Sequence, residues 1–234
     1  MNEPHGDLAH EQSIFNDRLS QRGPLRSPDC TARLLDALEP LRRLGTGGAC
    51  VARRILRLTY GCGRYVAYEQ LVKQAAAHVG LPESAALALE ADWLQLTPWS
   101  GAIEALQQLQ PHCKIAIVTN CSIRLGRQAA GMIPVKWDAV ITAEEAGTYK
   151  PDPAPYRLAL DVLDVTPSEA VFVAGSSYDM FGTASVGLRT YWHNRAALPL
   201  VEGAPPPEIE APTLEALVPW CSRFDVSAHN DLPA

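Results

Sequence analysis

The chain lacks cysteines at any metal or redox spacing. Cys30, Cys50, Cys62, Cys113, Cys121 and Cys221 show no CxxC or CxxxH pattern, so a zinc ribbon or a thioredoxin-type centre is not expected. Its six histidines are scattered. It has no excess of positive charge: 20 Lys and Arg stand against 26 Asp and Glu, a formal charge of -6. That argues against a nucleic-acid partner, which needs a basic surface. Arg42-Arg43 and Arg53-Arg54-Arg57 do cluster, and a solvated helix face accounts for them. No apolar run approaches the length of a membrane span, so no membrane partner is expected. No secretory leader is evident, and the expectation is reduced thiols in the cytoplasm. Internal repeats and low-complexity tracts are also missing. What remains is a 234-residue chain that is 47% hydrophobic, enough for one α/β core or a core with a smaller inserted domain.

Residues 113–195 carry the clearest organisation. Lys114-Ile115-Ala116-Ile117-Val118 reads as a buried strand ending in Thr119-Asn120. Ala139-Val140-Ile141 reads as a second, followed by Thr148-Tyr149-Lys150-Pro151-Asp152-Pro153 and a helix over 156–163. Val171-Phe172-Val173-Ala174 stops at Gly175-Ser176-Ser177-Tyr178-Asp179, and Thr190-Tyr191-Trp192 stops at His193-Asn194-Arg195. Short apolar runs alternating with helices predict βαβ units and a parallel sheet. Ligands collect beyond the carboxyl ends of such strands, where this chain places an amide, a lysine, a carboxylate and several hydroxyls.

The flanking stretches read differently. Residues 1–30 are polar and turn-rich, with Ser13-Ile14-Phe15 the only strand candidate. From 31 to about 96 the spacing is helical, punctuated by Gly45-Thr46-Gly47-Gly48, Gly61-Cys62-Gly63 and Gly80-Leu81-Pro82. Two helices are expected over 65–79 and 83–96, with Pro82 suited to the first turn of the second. Past Arg195, Pro205-Pro206-Pro207 reads as loop, Thr213 as the N-cap of a closing helix, and 226–234 as a frayed tail. His193 reads as a loop histidine that could face the site.

Each strand end has a plain structural explanation beside a functional one. Thr119-Asn120 at a helix N-terminus suits a carboxylate or phosphate, or simply caps the helix. Lys150 either neutralises an anion or sits on the surface. Asp179, beyond an apolar strand, requires compensation for its charge. Lys150 is its natural partner, and Tyr156 lies close enough in sequence to reach the same opening. Asp179 can orient a water or the lysine, or cap a helix at Met180. Cys121 follows Asn120 and is the one cysteine placed to act, given a base.

In order, strand–Thr-Asn, Lys-Pro-Asp-Pro and strand–Gly-Ser-Ser-Tyr-Asp-x-x-Gly-Thr-Ala resemble the haloacid dehalogenase superfamily, and most closely its L-2-haloacid dehalogenase branch. Gly63-Arg64-Tyr65-Val66 and the helix after it are similar to the branch's helical cap. The resemblance implies a doubly wound parallel α/β core of 1–25 and 97–234 with a helical cap inserted at 26–96. It also implies a two-step covalent route in which a carboxylate displaces halide and water hydrolyses the ester. By position, Thr119, Asn120, Tyr156 and Ser176 would contact the substrate, and Lys150 and Asp179 would serve the chemistry. A second acid just before Asp179 would complete a magnesium site. Ala174-Gly175-Ser176-Ser177 supplies none, so neither metal nor another cofactor is expected.

The family's first motif, an apolar strand ending Asp-x-x-Gly-Thr, has no good match. Ser13-Ile14-Phe15-Asn16-Asp17 comes nearest and puts Asn16 at the nucleophile's place. Asp17 is one residue off, on the opposite strand face. Asp29 and Asp7 have no strand before them. The expected function is hydrolysis of a small 2-substituted carboxylate with Asp17 as nucleophile. The alternatives are a degenerate relative that binds a small anion without turnover, and a magnesium phosphatase. The apolar helices leave a homodimer open.

Overall fold

The computed structural model of the protein describes residues 54–224, apart from 56 and 61. The expected first strand at 13–16, the candidate acids Asp7, Asp17 and Asp29, and the tail at 226–234 lie outside the described residues.

Helical residues at 54–55 and 57–60 precede α1 (Tyr68–His78) and α2 (Glu83–Ala91). The first of the expected helices starts three residues late. Tyr65 is held outside it, donating its backbone N–H to the Gly147 carbonyl at 2.6 Å. Leu71, Val72, Ala75 and Ala76 form the buried stripe of α1, the spacing of one helix face. Val72, Ala75 and Ala76 pack on Ile55, Ala86 and Leu89 in a core of their own. Gly80, at φ +75°, makes the reversal between the two helices. Pro82 is the N-cap of α2 rather than part of its first turn.

The second unit alternates strand and helix. Its order is α3 (Ala102–Leu109), β1 (Ala116–Thr119), α4 (Ile123–Gly131), β2 (Ala139–Thr142), α5 (Ala143–Ala146), α6 (Pro153–Leu163), β3 (Val171–Ala174), α7 (Asp179–Ser185), β4 (Arg189–His193), β5 (Ile209–Ala211) and α8 (Leu217–Cys221). All described pairings are parallel: β1 with β2, β3 with β4, and β4 with β5. Asp152 caps α6 by accepting the Ala154 N–H at 2.9 Å, with Pro153 at the first helical position.

Three expectations need correction. His193 is not a loop residue: it ends β4, is 2% exposed, and its Nε2 lies 3.2 Å from the Pro212 carbonyl. Residues 209–211 form an unexpected edge strand. The closing helix begins at Leu217, with Ala216 rather than Thr213 as N-cap. The Thr213 carbonyl accepts the Tyr191 hydroxyl at 2.7 Å, which ties the bend at 212–214 to β4.

Among the described residues the sheet is in two halves, β1–β2 and β3–β4–β5. They are joined by α6, which packs on the first half and on α7, and by side chains at the carboxyl ends of the strands. Between β1 and β3 runs a cavity of about 990 Å³.

Candidate active site

Lys150 and Asp179 meet where the two halves of the sheet come together. The Lys150 ammonium stands 3.0 Å from Asp179 Oδ1, with the two side chains only 16% and 8% exposed. The Tyr156 hydroxyl donates to the same oxygen at 2.6 Å. Burial and the Asp179 charge both push the Tyr156 phenol well above its ordinary range, so it is a donor throughout the physiological range. The lysine also lies 5.3 Å from the centre of the Phe172 ring. A charged carboxylate is thus held in a dry place by one cation and one hydroxyl, as a buried charge requires.

The backbone around Lys150 is fixed as firmly as its side chain. The Lys150 N–H donates to Asn120 Oδ1 at 2.7 Å, and Asn120 Nδ2 donates back to the Lys150 carbonyl at 3.1 Å. The Lys150–Pro151 bond is cis. The Pro151 carbonyl and the Tyr156 ring close against Gly182, where an added Cβ would come within 2.6 and 2.2 Å of them. Only glycine fits there, so α7 can carry Asp179 this close to Lys150. Gly175 has the same role under Trp99, whose ring would be 2.8 Å from a Cβ at that position.

Ser176 sits in the turn leading to Asp179, accepting the Tyr178 N–H at 3.3 Å. Tyr178 stacks on Tyr60 at 4.3 Å. Burial first, then the Asp179 and Tyr178 charges, push the Tyr60 phenol upward, while a hydrogen bond from Ser176 pulls it down. Tyr60 therefore brings the helical residues before α1 onto the site. Tyr178 stood inside the strand-end motif without a role of its own, and nothing in the sequence marked Tyr60 or Trp99, because their place depends on packing between distant segments.

Thr119 and Asn120 stand at the end of β1, as expected, and Asn120 spends its side-chain amide on Lys150. Thr119 donates to Cys121 Sγ at 3.2 Å. Burial pushes the Cys121 thiol up to about 11, so it stays protonated near neutral pH and is a poor nucleophile. The N-terminus of α4, which the sequence offers as an anion seat, is met from within the chain. Ser122 Oγ accepts the Leu125 N–H, and the Glu144 carboxylate accepts the Ile123 N–H at 2.7 Å. Among the described residues no three His, Cys, Asp or Glu side chains gather as metal ligands.

The profile of the haloacid dehalogenase-like hydrolases matches residues 28–187. The chain belongs to this family. Its curated relatives within the family include (S)-2-haloacid dehalogenase 2 of Pseudomonas sp. (strain CBS-3), 29% identical over 143 residues, which are 57% of this chain and 62% of that protein. The (S)-2-haloacid dehalogenase of Xanthobacter autotrophicus is 32% identical over 133 residues, 53% of this chain and 52% of that one. The chain thus spans less than two thirds of either relative. The fold matches the L-2-haloacid dehalogenase of Xanthobacter autotrophicus with chloropropionic acid covalently bound. That match has a TM-score of 0.66 and 21% identity, and covers 86% of this chain and 96% of that one. The helices and parallel strands described above are the fold of this family, and the likeness reaches its dehalogenase branch. No described helix is long and apolar enough to cross a membrane.

Proposed function

We propose that the protein is a metal-independent dehalogenase of small 2-haloacids. One observation carries the proposal: Lys150 is paired with Asp179 and held by Asn120 and Tyr156 at the carboxyl ends of the strands. A lysine in that position is a fixed positive charge beside the place where a carboxylate must attack. It lowers the cost of bringing a nucleophilic carboxylate and an anionic substrate together. A magnesium site would need several oxygen ligands. Here Oδ1 of Asp179 is already taken by an ammonium and a phenol, and the loop before it has no second acid.

In this reading a carboxylate oxygen, assigned to Asp17, attacks the 2-carbon of the substrate. The new C–O bond forms as the carbon–halogen bond breaks, and halide leaves with its electron pair. Water then adds to the ester carbonyl, and the 2-hydroxy acid departs as the carboxylate is regenerated. Asp179 holds Lys150 in place through the ion pair. The polar groups of Thr119, Ser176 and the turn after β1 border the substrate carboxylate. The helical unit, carrying Tyr60, acts as a cap over the opening.

Halide release from L-2-chloropropionate tests the assignment. The full chain should release halide, and Asp17→Asn should abolish release without altering the melting temperature. Equal rates in the two proteins would remove Asp17 from this role. A folded chain with no release would favour the degenerate reading, in which a small carboxylate raises the melting temperature without turnover.

A further inference from the structure

The carboxyl end of β4 and the turn after it hold buried polar atoms that no group among the described residues meets. Arg195 keeps its Nε and Nη2 buried and without an acceptor. Their N–H groups lie side by side on one edge of the guanidinium and point the same way, the fork that takes both oxygens of a carboxylate. Two residues earlier, His193 is 2% exposed, and its Nδ1 is buried without a partner. The two side chains share a wall. The centre of the Trp99 ring stands 4.8 Å from that of the imidazole, edge to face, and 5.6 Å from the guanidinium carbon. Burial first, and the Arg195 charge with it, hold the imidazole below its ordinary value. The turn itself is braced. Asn194 accepts the Leu198 N–H at 2.8 Å and donates to the Leu198 carbonyl at 2.8 Å. The same amide donates to the Glu210 carboxylate of β5 at 2.6 Å.

The tautomer of His193 fixes what it offers. Its Nε2 lies 3.2 Å from the Pro212 carbonyl. A carbonyl only accepts, so Nε2 carries the proton and Nδ1 presents a lone pair. The guanidinium fork therefore calls for an anion, and Nδ1 calls for a donor. Leaving either buried and unmet is costly. We propose that Arg195, His193 and Trp99 form a binding site for a small hydroxy acid. Its carboxylate lies on the Arg195 fork, its hydroxyl donates to His193 Nδ1, and the Trp99 ring is the apolar wall. The Trp99 ring also rests on Gly175, the first residue of the turn that carries Asp179, so the site is a neighbour of the Lys150–Asp179 pair at the strand ends. A 2-hydroxy acid is the product class of the proposed reaction as well, but the binding asks nothing of that reading, and a chain without dehalogenase activity would still show it.

Side-chain NMR of the full chain tests this through the Arg195 Nε–H and His193 imidazole signals, titrated at neutral pH with glycolate, acetate and glycolamide. Glycolate should move both signals along one saturating curve. Acetate, which lacks the hydroxyl, should bind about fivefold more weakly, the worth of one hydrogen bond. Glycolamide, which lacks the charge, should move neither signal. Arg195→Lys keeps the charge and loses the fork, and should weaken glycolate about tenfold as read at His193. Lys150→Met should leave the glycolate curve unchanged. Signals that stay flat in glycolate would overturn the proposal, which is also the result if a carboxylate of the chain itself holds the fork. Equal binding of acetate and glycolate would overturn it too, because His193 would then play no part. A curve lost in folded Lys150→Met would overturn it by placing the anion at the lysine.

Discussion

Asp179 accepts both Lys150 and Tyr156 at a single oxygen, and the two donors have different worth. Asp179→Asn leaves the lysine charged, largely buried and without its counter-ion. Removing one member of a buried pair costs about 3–5 kcal/mol, and denaturant unfolding should show a loss of that size. Tyr156→Phe removes one hydrogen bond to a charged acceptor, worth about 1.5–3 kcal/mol, and should cost less than Asp179→Asn in the same assay. Gly182→Ala presses a methyl group into the Tyr156 ring and the Pro151 carbonyl. Overpacking of that kind costs about 1–3 kcal/mol, and it should also push Asp179 away from Lys150. At this scale the sequence was informative where charge is costly. An acid beyond an apolar strand needs a cation, and Lys150 was the nearest by order of strands. The use of the Asn120 side chain was not legible, because a Thr-Asn pair at a strand end looks the same whether it holds a ligand or a neighbouring loop.

The elements followed the same logic. Val171-Phe172-Val173-Ala174 and Ala139-Val140-Ile141 were readable as strands because β-branched runs bounded by turns have few other uses. Ile209-Glu210-Ala211 is too short and too charged to read that way. It pairs only because β4 offers an edge. α5 is not among the expected elements; Thr142-Ala143-Glu144-Glu145 starts it with a capping box in which both reciprocal hydrogen bonds form. α4 carries one of the contacts between the helical unit and the core. Ser122 caps α4 and also donates to Glu69 of α1 at 2.7 Å, while Arg124 of α4 pairs with Glu69 and Glu90. Ser122→Ala should therefore cost about 1 kcal/mol as a lost cap. Limited proteolysis should also cut more readily between α1 and β1 in that variant, a change that loss of the cap alone would not produce.

At the scale of the whole molecule, His193, buried among the described residues, ties stability to pH. Burial holds the His193 ring below its ordinary value of 6.5, and Arg195 adds to this, while the Pro212 carbonyl works in the opposite direction. The unfolded chain then binds more protons than the folded one as pH falls through about 6.5, so stability declines on the acid side and the slope is positive in pH. His193→Gln should flatten the change in melting temperature between pH 6.5 and 5 while leaving its neutral-pH curve nearly parallel to the parent's. The architecture as a whole was readable from alternating strands and helices, whereas the division of the sheet was not. The spacing of the strand runs in the sequence says nothing about which neighbours pair, so the two described halves, β1–β2 and β3–β4–β5, could not be told apart from it. The measurement that tests the account most directly is halide release from L-2-chloropropionate with a chelator present, by the parent and by Lys150→Met. The account predicts steady release by the parent, unaffected by the chelator, and a loss of at least about a hundredfold in the variant, the scale of a removed electrostatic group at a reacting centre. Undiminished release by a folded Lys150→Met protein would contradict it.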